Sequence, residues 1–208
     1  MKLAVCWKWV SLDRDHHGDG QGDRHLDQRW AGVSAADEAA LEIALRIAEA
    51  APGTRTDHEV IVWCLGPAGA DDTLRAALAA GADRAGRIDA SPELDSRTVA
   101  DALAAQLRGI DVVVCGDYSL DRGTGSVPAF VAAELGAAQA LGLVEVVDDG
   151  AGLGEEPPSL RVVRRLDAGR REVLDVAAPA VLSVEGSIAT LRRSSDRKST
   201  RLNSSHYS

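Results

Sequence analysis

The residues best suited to chemistry lie in one stretch, Asp111 to Ala129 (DVVVCGDYSLDRGTGSVPA), where an apolar run gives way to a Gly/Asp/Ser/Thr segment and then to a helix former. In open α/β sheets, ligands bind outside the carboxyl ends of strands. A Gly-rich turn entering a helix offers free backbone N–H groups to a phosphate. Gly116 to Ser126 is therefore the leading anion-holding loop, with Gly116, Ser119, Asp121, Gly123, Thr124, Gly125 and Ser126 as its candidate binding positions. Neither GxxxxGKS/T nor GxGxxG occurs in it, so it is neither a P-loop nor the dinucleotide fingerprint. The spacing also suits a plain solvated strand–helix turn capped by Thr124.

Such a loop works only if a fold carries it to a sheet edge. Short apolar runs alternate here with longer Ala-rich segments, the rhythm of strands separated by helices in a doubly wound, mainly parallel, Rossmann-like α/β sheet. Strands are expected near 2–9, 59–65, 85–88 and 111–116. Those at 59–65 and 111–116 are apolar on both parities, as helices on both sheet faces require. Residues 34–50 place Ala39, Ile43, Ile47 and Ala50 on one helical face behind a Ser34 cap. Further helices are expected near 70–80 and 95–107, with Asp71, Asp72 and Asp95 at their positive ends, and from about 125 to 137. After Gly136 the pattern changes to short strands with Gly/Pro/Asp turns, read as an antiparallel C-terminal extension of the sheet. Residues 11–31, polar and aperiodic, read as a long surface loop.

With these strands side by side, three further positions converge on the loop. They are the end of the first strand at Cys6 to Lys8, the helix start at Ser34 to Glu38, which includes Asp37, and the second strand's end at Leu65 to Gly66 and Pro67. Such a crevice suits an adenosine, with backbone amides reading the base and the loop holding the phosphate. Taken singly, each position also has a structural reading: Cys6 as core, Ser34 as cap, Gly66-Pro67 as turn.

Other features point less far. Cys6, Cys64 and Cys115 lie in or at the end of apolar runs, and three cysteines without CxxC spacing give neither a disulfide framework nor a recognisable metal site. His16, His17 and His25 among Asp13, Asp15, Asp19 and Asp23 have irregular spacing and read as solvated charge. Trp7 and Trp9 share one strand face, which suits packing or, alternatively, an aromatic platform. No GxSxG elbow or Cys–His pair is evident.

The formal charge of −9 argues against a broad grip on nucleic acid. The 208 residues suffice for one domain, and without a signal pattern or a long apolar run a cytoplasmic location is expected. Residues 196–208 break with the Arg-dominated chain, and Asp196 to His206 resembles the translation of a sequencing-library adapter. We read 196–208 as foreign, which leaves 1–195 as the domain, with its natural C-terminus lying beyond Ser195.

Several segments together resemble the beta subunit of electron transfer flavoproteins. KLAVCWKWV looks like that family's first strand, and SAADEAALEIALRI is similar to its polar stretch leading into the first helix. VIVWCLGPAGADDTLRAALAAGADRA is similar, without a gap, to the family's GP…LRxALAxGADRA run. In the loop, Asp121, Thr124 and Val127 match the family, while Tyr118, Gly123, Ser126 and Pro128 stand where it has Gln, Asp, Gln and Gly. APAVLSVEGSIATLRRSS is similar to the family's C-terminal signature, with Leu191 at the position of its hydrophobic anchor for partner dehydrogenases.

The resemblance implies an electron-carrier subunit that is not a self-sufficient enzyme. It would bind AMP, or a second FAD, in the crevice and help an alpha subunit hold the redox FAD. Electrons would pass from flavin-dependent dehydrogenases to a quinone reductase or similar acceptor. A stand-alone adenine-nucleotide-binding regulatory module of the same fold is the alternative. An adenylating hydrolase would show a motif such as SGGxDS, which is absent.

Overall fold

The computed structural model describes residues 1–12, 31–91, 94–147, 150 and 152–193, and the backbone alone of 202–206. In chain order, β1 is Lys2–Lys8, β2 Val10–Ser11, β3 Ala31–Gly32, α1 Ala35–Ala50, β4 Glu59–Leu65, α2 Asp71–Ala80 and β5 Arg84–Asp89. There follow α3 Ser96–Leu107, β6 Val112–Gly116, α4 Val127–Leu135, β7 Ala138–Val146, β8 Ser159–Arg165, β9 Arg171–Ala177, β10 Ala180–Val184 and β11 Leu202–His206. The four expected strand-plus-helix units are all present. Of the expected surface loop, β2 and β3 form a short antiparallel pair at its base, while 13–30, with the His and Asp cluster, lie outside the described residues.

The main sheet has the order β11-β5-β4-β1-β6-β10-β7-β8-β9. Alternation along the strands explains its two covered faces. Leu3 and Val5, Val60 and Val62, Val112 and Val114 pack with Leu41, Leu45 and Leu74 from α1 and α2. Ala4, Cys6, Val113 and Cys115 turn the other way, against Leu103 and Leu107 of α3 and Val131 of α4. Both faces of β1 and β6 are thus dry, which is why these strands read as continuous apolar runs. On α1, Ala39, Ile43 and Ile47 are buried as the spacing requires, and the helix ends where Pro52 forces Ala51 into extended backbone.

After Gly136 the antiparallel expectation holds for β7–β8–β9 and needs refining for β10. β10 runs back into the sheet and lies parallel to both β6 and β7. All five of its residues, AVLSV, are buried, the mark of an interior strand. Its end, Val184, is thereby delivered to the edge where β1 and β6 also end. Foreign or not, the tail supplies β11, which adds parallel to the far edge of β5.

The segment after β10 is tied down by charge. The Arg192 backbone and guanidinium donate to Glu42 of α1 at 3.0–3.1 Å, and the guanidinium also engages Glu49. Arg46 adds a further bond to Glu42 at 3.0 Å. Glu42 is only 5% exposed. Burial pulls its carboxyl pKa upward, but the bonds from Arg192 and Arg46 win and hold it below the usual value of 4.5. Leu191, beside this clamp, is half-buried and packs against the first core cluster.

Removing the clamp should be costly because it strands a buried carboxylate. Arg192→Ala is expected to lower unfolding stability at neutral pH by roughly 1–3 kcal/mol. A group whose folded pKa is depressed stabilises above its unfolded pKa and loses that effect as pH falls. The gap between Arg192→Ala and the parent in denaturant melts should therefore close as pH drops below 4.5. A gap that persists in acid would mean that packing, not charge, is what Arg192 contributes.

Candidate functional site

The carboxyl ends of β1, β6 and β10 meet the amino end of α1, and the contact is tight because two glycines permit it. A Cβ on Gly116 would stand 2.7 Å from Asp37 Oδ1 and 2.9 Å from its amide nitrogen. A Cβ on Gly186 would lie 3.0 Å from the Ala36 nitrogen. Gly116 therefore makes room for the helix start as well as entering the candidate loop. Ser34 caps α1, its Oγ accepting from the Asp37 amide at 3.1 Å.

Asp37 is the centre of this junction. Trp7 Nε1 donates to its carbonyl at 2.6 Å, and the Lys8 amide donates to Oδ2 at 3.4 Å. Burial pushes its carboxyl up to about 7, against hydrogen bonds from Ser34, Lys8 and Gly116 that favour the charged form. A raised carboxyl pKa makes this group's contribution to folding largest in acid, and that contribution declines as pH rises through about 7.

The loop after β6 is held from both ends. The Asp117 amide donates to the Val184 carbonyl at 3.0 Å, which links it to β10. Lys8 Nζ reaches Asp121 at 2.7 Å and so bridges β1 to the loop. Both partners are 38% exposed, so this bridge is worth less than about 1 kcal/mol and can open readily. At Asp121 burial raises the pKa, while the bonds from Lys8, the Arg122 amide and Ser119 together lower it below the usual range. Asp117 is raised by burial and by Glu185.

Gly123 and Gly125 both have φ of +59°, the left-handed region. The Gly123 amide donates to Ser119 Oγ at 3.3 Å, and the ring of Tyr118 occupies the place of a Gly123 side chain, 2.5 Å from a Cβ there. The Thr124 and Ser126 hydroxyls bond each other at 3.0 Å. Neither caps α4, whose N-cap residue makes no side-chain cap bond. The plain capped turn is thus not what forms here.

Of the residues singled out from sequence, Lys8, Ser34, Asp37, Gly116, Ser119, Asp121, Gly123, Thr124, Gly125 and Ser126 come together at this edge. Leu65 ends its strand there and Cys6 lies two residues before the end of β1, but their side chains are buried in the second core cluster. All three cysteines are free thiols; the neighbouring Cys6 thiol and burial raise Cys115, while burial and the charge of Asp37 push Cys64 up to about 12. Cys64 and Cys115 are therefore protonated at neutral pH and unsuited to nucleophilic chemistry. Trp7 and Trp9 are buried, which resolves the platform reading in favour of packing.

Sequence reasoning missed Arg87. Its buried guanidinium bonds Asp71 at 2.8 Å, Asp89 at 2.8 Å and the Gly66 carbonyl at 3.1 Å, fixing the turn after β4. The signal available was a lone Arg inside the strand RAGRID. Gly186 and the Trp7 donor gave no sequence signal. Two clefts of about 410 and 470 Å³ open at the other, amino ends of the strands, away from where open α/β sheets bind ligands.

Residues 26–203 match the family model described as "Electron transfer flavoprotein domain", a span that enters the segment read as foreign. An electron transfer flavoprotein subunit beta from Methylophilus methylotrophus is 33% identical over 89% of this chain and 69% of its own length. Another from Bradyrhizobium diazoefficiens is 29% identical over 81% of this chain and 63% of its own. The caffeyl-CoA reductase-Etf complex subunit CarD of Acetobacterium woodii is 30% identical over 88% of this chain and 68% of its own. The chain thus spans roughly two thirds of these relatives. Among the described residues no helix is long and apolar enough to cross a membrane.

The Gly116 contact is directly testable. Gly116→Ala must push the end of β6 away from α1, and overpacking of this kind costs roughly 1–3 kcal/mol. An unchanged unfolding midpoint would show that the strand end has room to yield.

Proposed function

Because the chain belongs to the electron transfer flavoprotein family, we propose that it is the beta-type subunit of a two-subunit electron carrier, holding an adenine nucleotide in the crevice between β1, α1, β4 and the loop after β6. The observation that carries the reading is the convergence of β1, α1 and β6 on Asp37, with the loop 117–126 tied over it by Lys8 and Asp121.

The residues suit a nucleotide held mainly by backbone. Acidic side chains outnumber cations at this edge, so a phosphate would be bound by loop amides and the Thr124 and Ser126 hydroxyls. Positive-φ turns of the Gly123 and Gly125 kind build amide-lined anion sites. Lys8 is a nearby cation and can transfer from Asp121 to phosphate at little cost. The strand ends at Cys6 and at Leu65–Gly66, the latter fixed by Arg87, offer backbone groups to the base. The ligand in this reading is AMP, or a second FAD.

The redox FAD would be shared with an alpha subunit and would supply the one- and two-electron chemistry when bound. This chain's part is to fix the crevice, shape the flavin's surroundings and present a docking surface to flavin-dependent dehydrogenases and to a quinone reductase or other acceptor. Leu191, half-buried between exposed Thr190 and the clamped Arg192, is the proposed docking side chain. In this reading the domain is 1–195, and 196–208 is not part of it.

The first experiment co-expresses residues 1–195, extended by the genomic C-terminus, with the neighbouring alpha-type gene and quantifies bound flavin and nucleotide. About one FAD and one AMP per heterodimer is expected, and about two FAD would place a flavin in the crevice instead. A complex without flavin, or no complex, would sink the carrier reading. In that complex Leu191→Ala should slow electron uptake from a dehydrogenase severalfold with flavin content intact. Flavin loss would instead place Leu191 at the subunit interface.

A further inference from the structure

Asp37 is 5% exposed and stands where three walls of the crevice meet. Its carboxylate accepts a hydrogen bond from the Lys8 amide at the end of β1 at 3.4 Å, and Ser34 and the Gly116 amide at the end of β6 stand beside it and favour its charged form. These donors are neutral, and the nearby ammonium of Lys8 is engaged by Asp121. Gly116 leaves the carboxylate no slack, since even a methyl group there would approach to 2.7 Å.

Other ionisable groups surround the acid on every packed element. Cys64 on β4 and Cys115 on β6 both feel its charge. Cys6 and Lys8 come from β1, Asp117 from the loop, Glu185 from the end of β10, and Glu38 from α1 itself. A carboxylate beside neutral donors alone and shut away from water is poised to take up a proton, as its pKa of about 7 agrees.

We propose that Asp37 is a positioning residue of the nucleotide crevice, whose ionised carboxylate holds the ends of β1 and β6 against α1 and so makes nucleotide retention sensitive to protonation. The proposal rests on reading this crevice as an adenine-nucleotide site. A neutral carboxyl is a weaker acceptor and carries an O–H that competes with the donors around it. On protonation the Lys8 and Gly116 amides lose their partner, and the strand ends relax away from the helix. The form that organises the crevice is therefore the charged one, although burial disfavours that charge.

The sign of this effect separates it from simple electrostatics. Protonating acids near an anion site would tighten AMP at low pH, whereas loss of the Asp37 junction weakens any adenine ligand. Adenosine, which lacks the phosphate and its own pKa near 6, is therefore the probe. Calorimetric binding of adenosine to the full chain between about pH 5.5 and pH 8.5 should weaken roughly tenfold per pH unit below about 7 and level off above it.

Asp37→Asn should give a flat profile, and Asp117→Asn should keep the slope. If Asp37→Asn does not fold, Ser34→Ala serves instead: removing a donor to the charged form moves the midpoint to higher pH. A flat parent profile, tighter binding in acid, or an unmoved midpoint in Ser34→Ala overturns the proton link while leaving the nucleotide site standing. Absence of adenosine and AMP binding at every pH overturns both.

Discussion

The close approach of the first turn of α1 to the ends of β1, β6 and β10 is the constraint on which the rest of the molecule turns. It exists because Gly116 and Gly186 carry no side chain where Asp37 and Ala36 arrive, and because Asp37 accepts from the Lys8 amide at the end of β1. Close packing transmits such a contact in both directions. The helix fixes the strand ends, and the strand ends fix where the loop after β6 begins.

Two charged arrangements extend that junction outward. Arg87 ties the turn after β4 to α2 and β5 through Asp71, Asp89 and the Gly66 carbonyl, which gives the crevice a rigid second wall. Arg192 fastens the segment after β10 to the far side of α1 through Glu42 and Glu49. In both cases an Arg fork meets carboxylates, a geometry that Lys cannot reproduce. The Lys8–Asp121 bridge is of another kind. Exposed and weak, it is the readily opened part of the candidate site.

At this candidate crevice the buried groups favour holding over reaction. The thiols of Cys64 and Cys115 are kept protonated by burial, and the acids at the mouth are paired, capped or desolvated. Electron transfer by a bound flavin asks for little more than this, since the protein's contribution there is position and electrostatic surroundings.

The types and order of the elements were legible in the sequence, because apolar periodicity is a local property and survives in any context that buries it. α1, α2 and α3 begin within a residue of their expected starts, and the loop at Gly116 to Ser126 was found from its composition alone. The tertiary structure alone decided the rest. AVLSV reads as a strand anywhere, but only long-range pairing puts β10 between β6 and β7 and brings Val184 to the site. The sequence places Asp37 at the helix start among the positions that converge on the loop; only Gly116 and the amide of a strand distant in sequence make it a buried carboxylate held by neutral groups. Burial and partnership are set by residues far apart along the chain, and no local pattern records them.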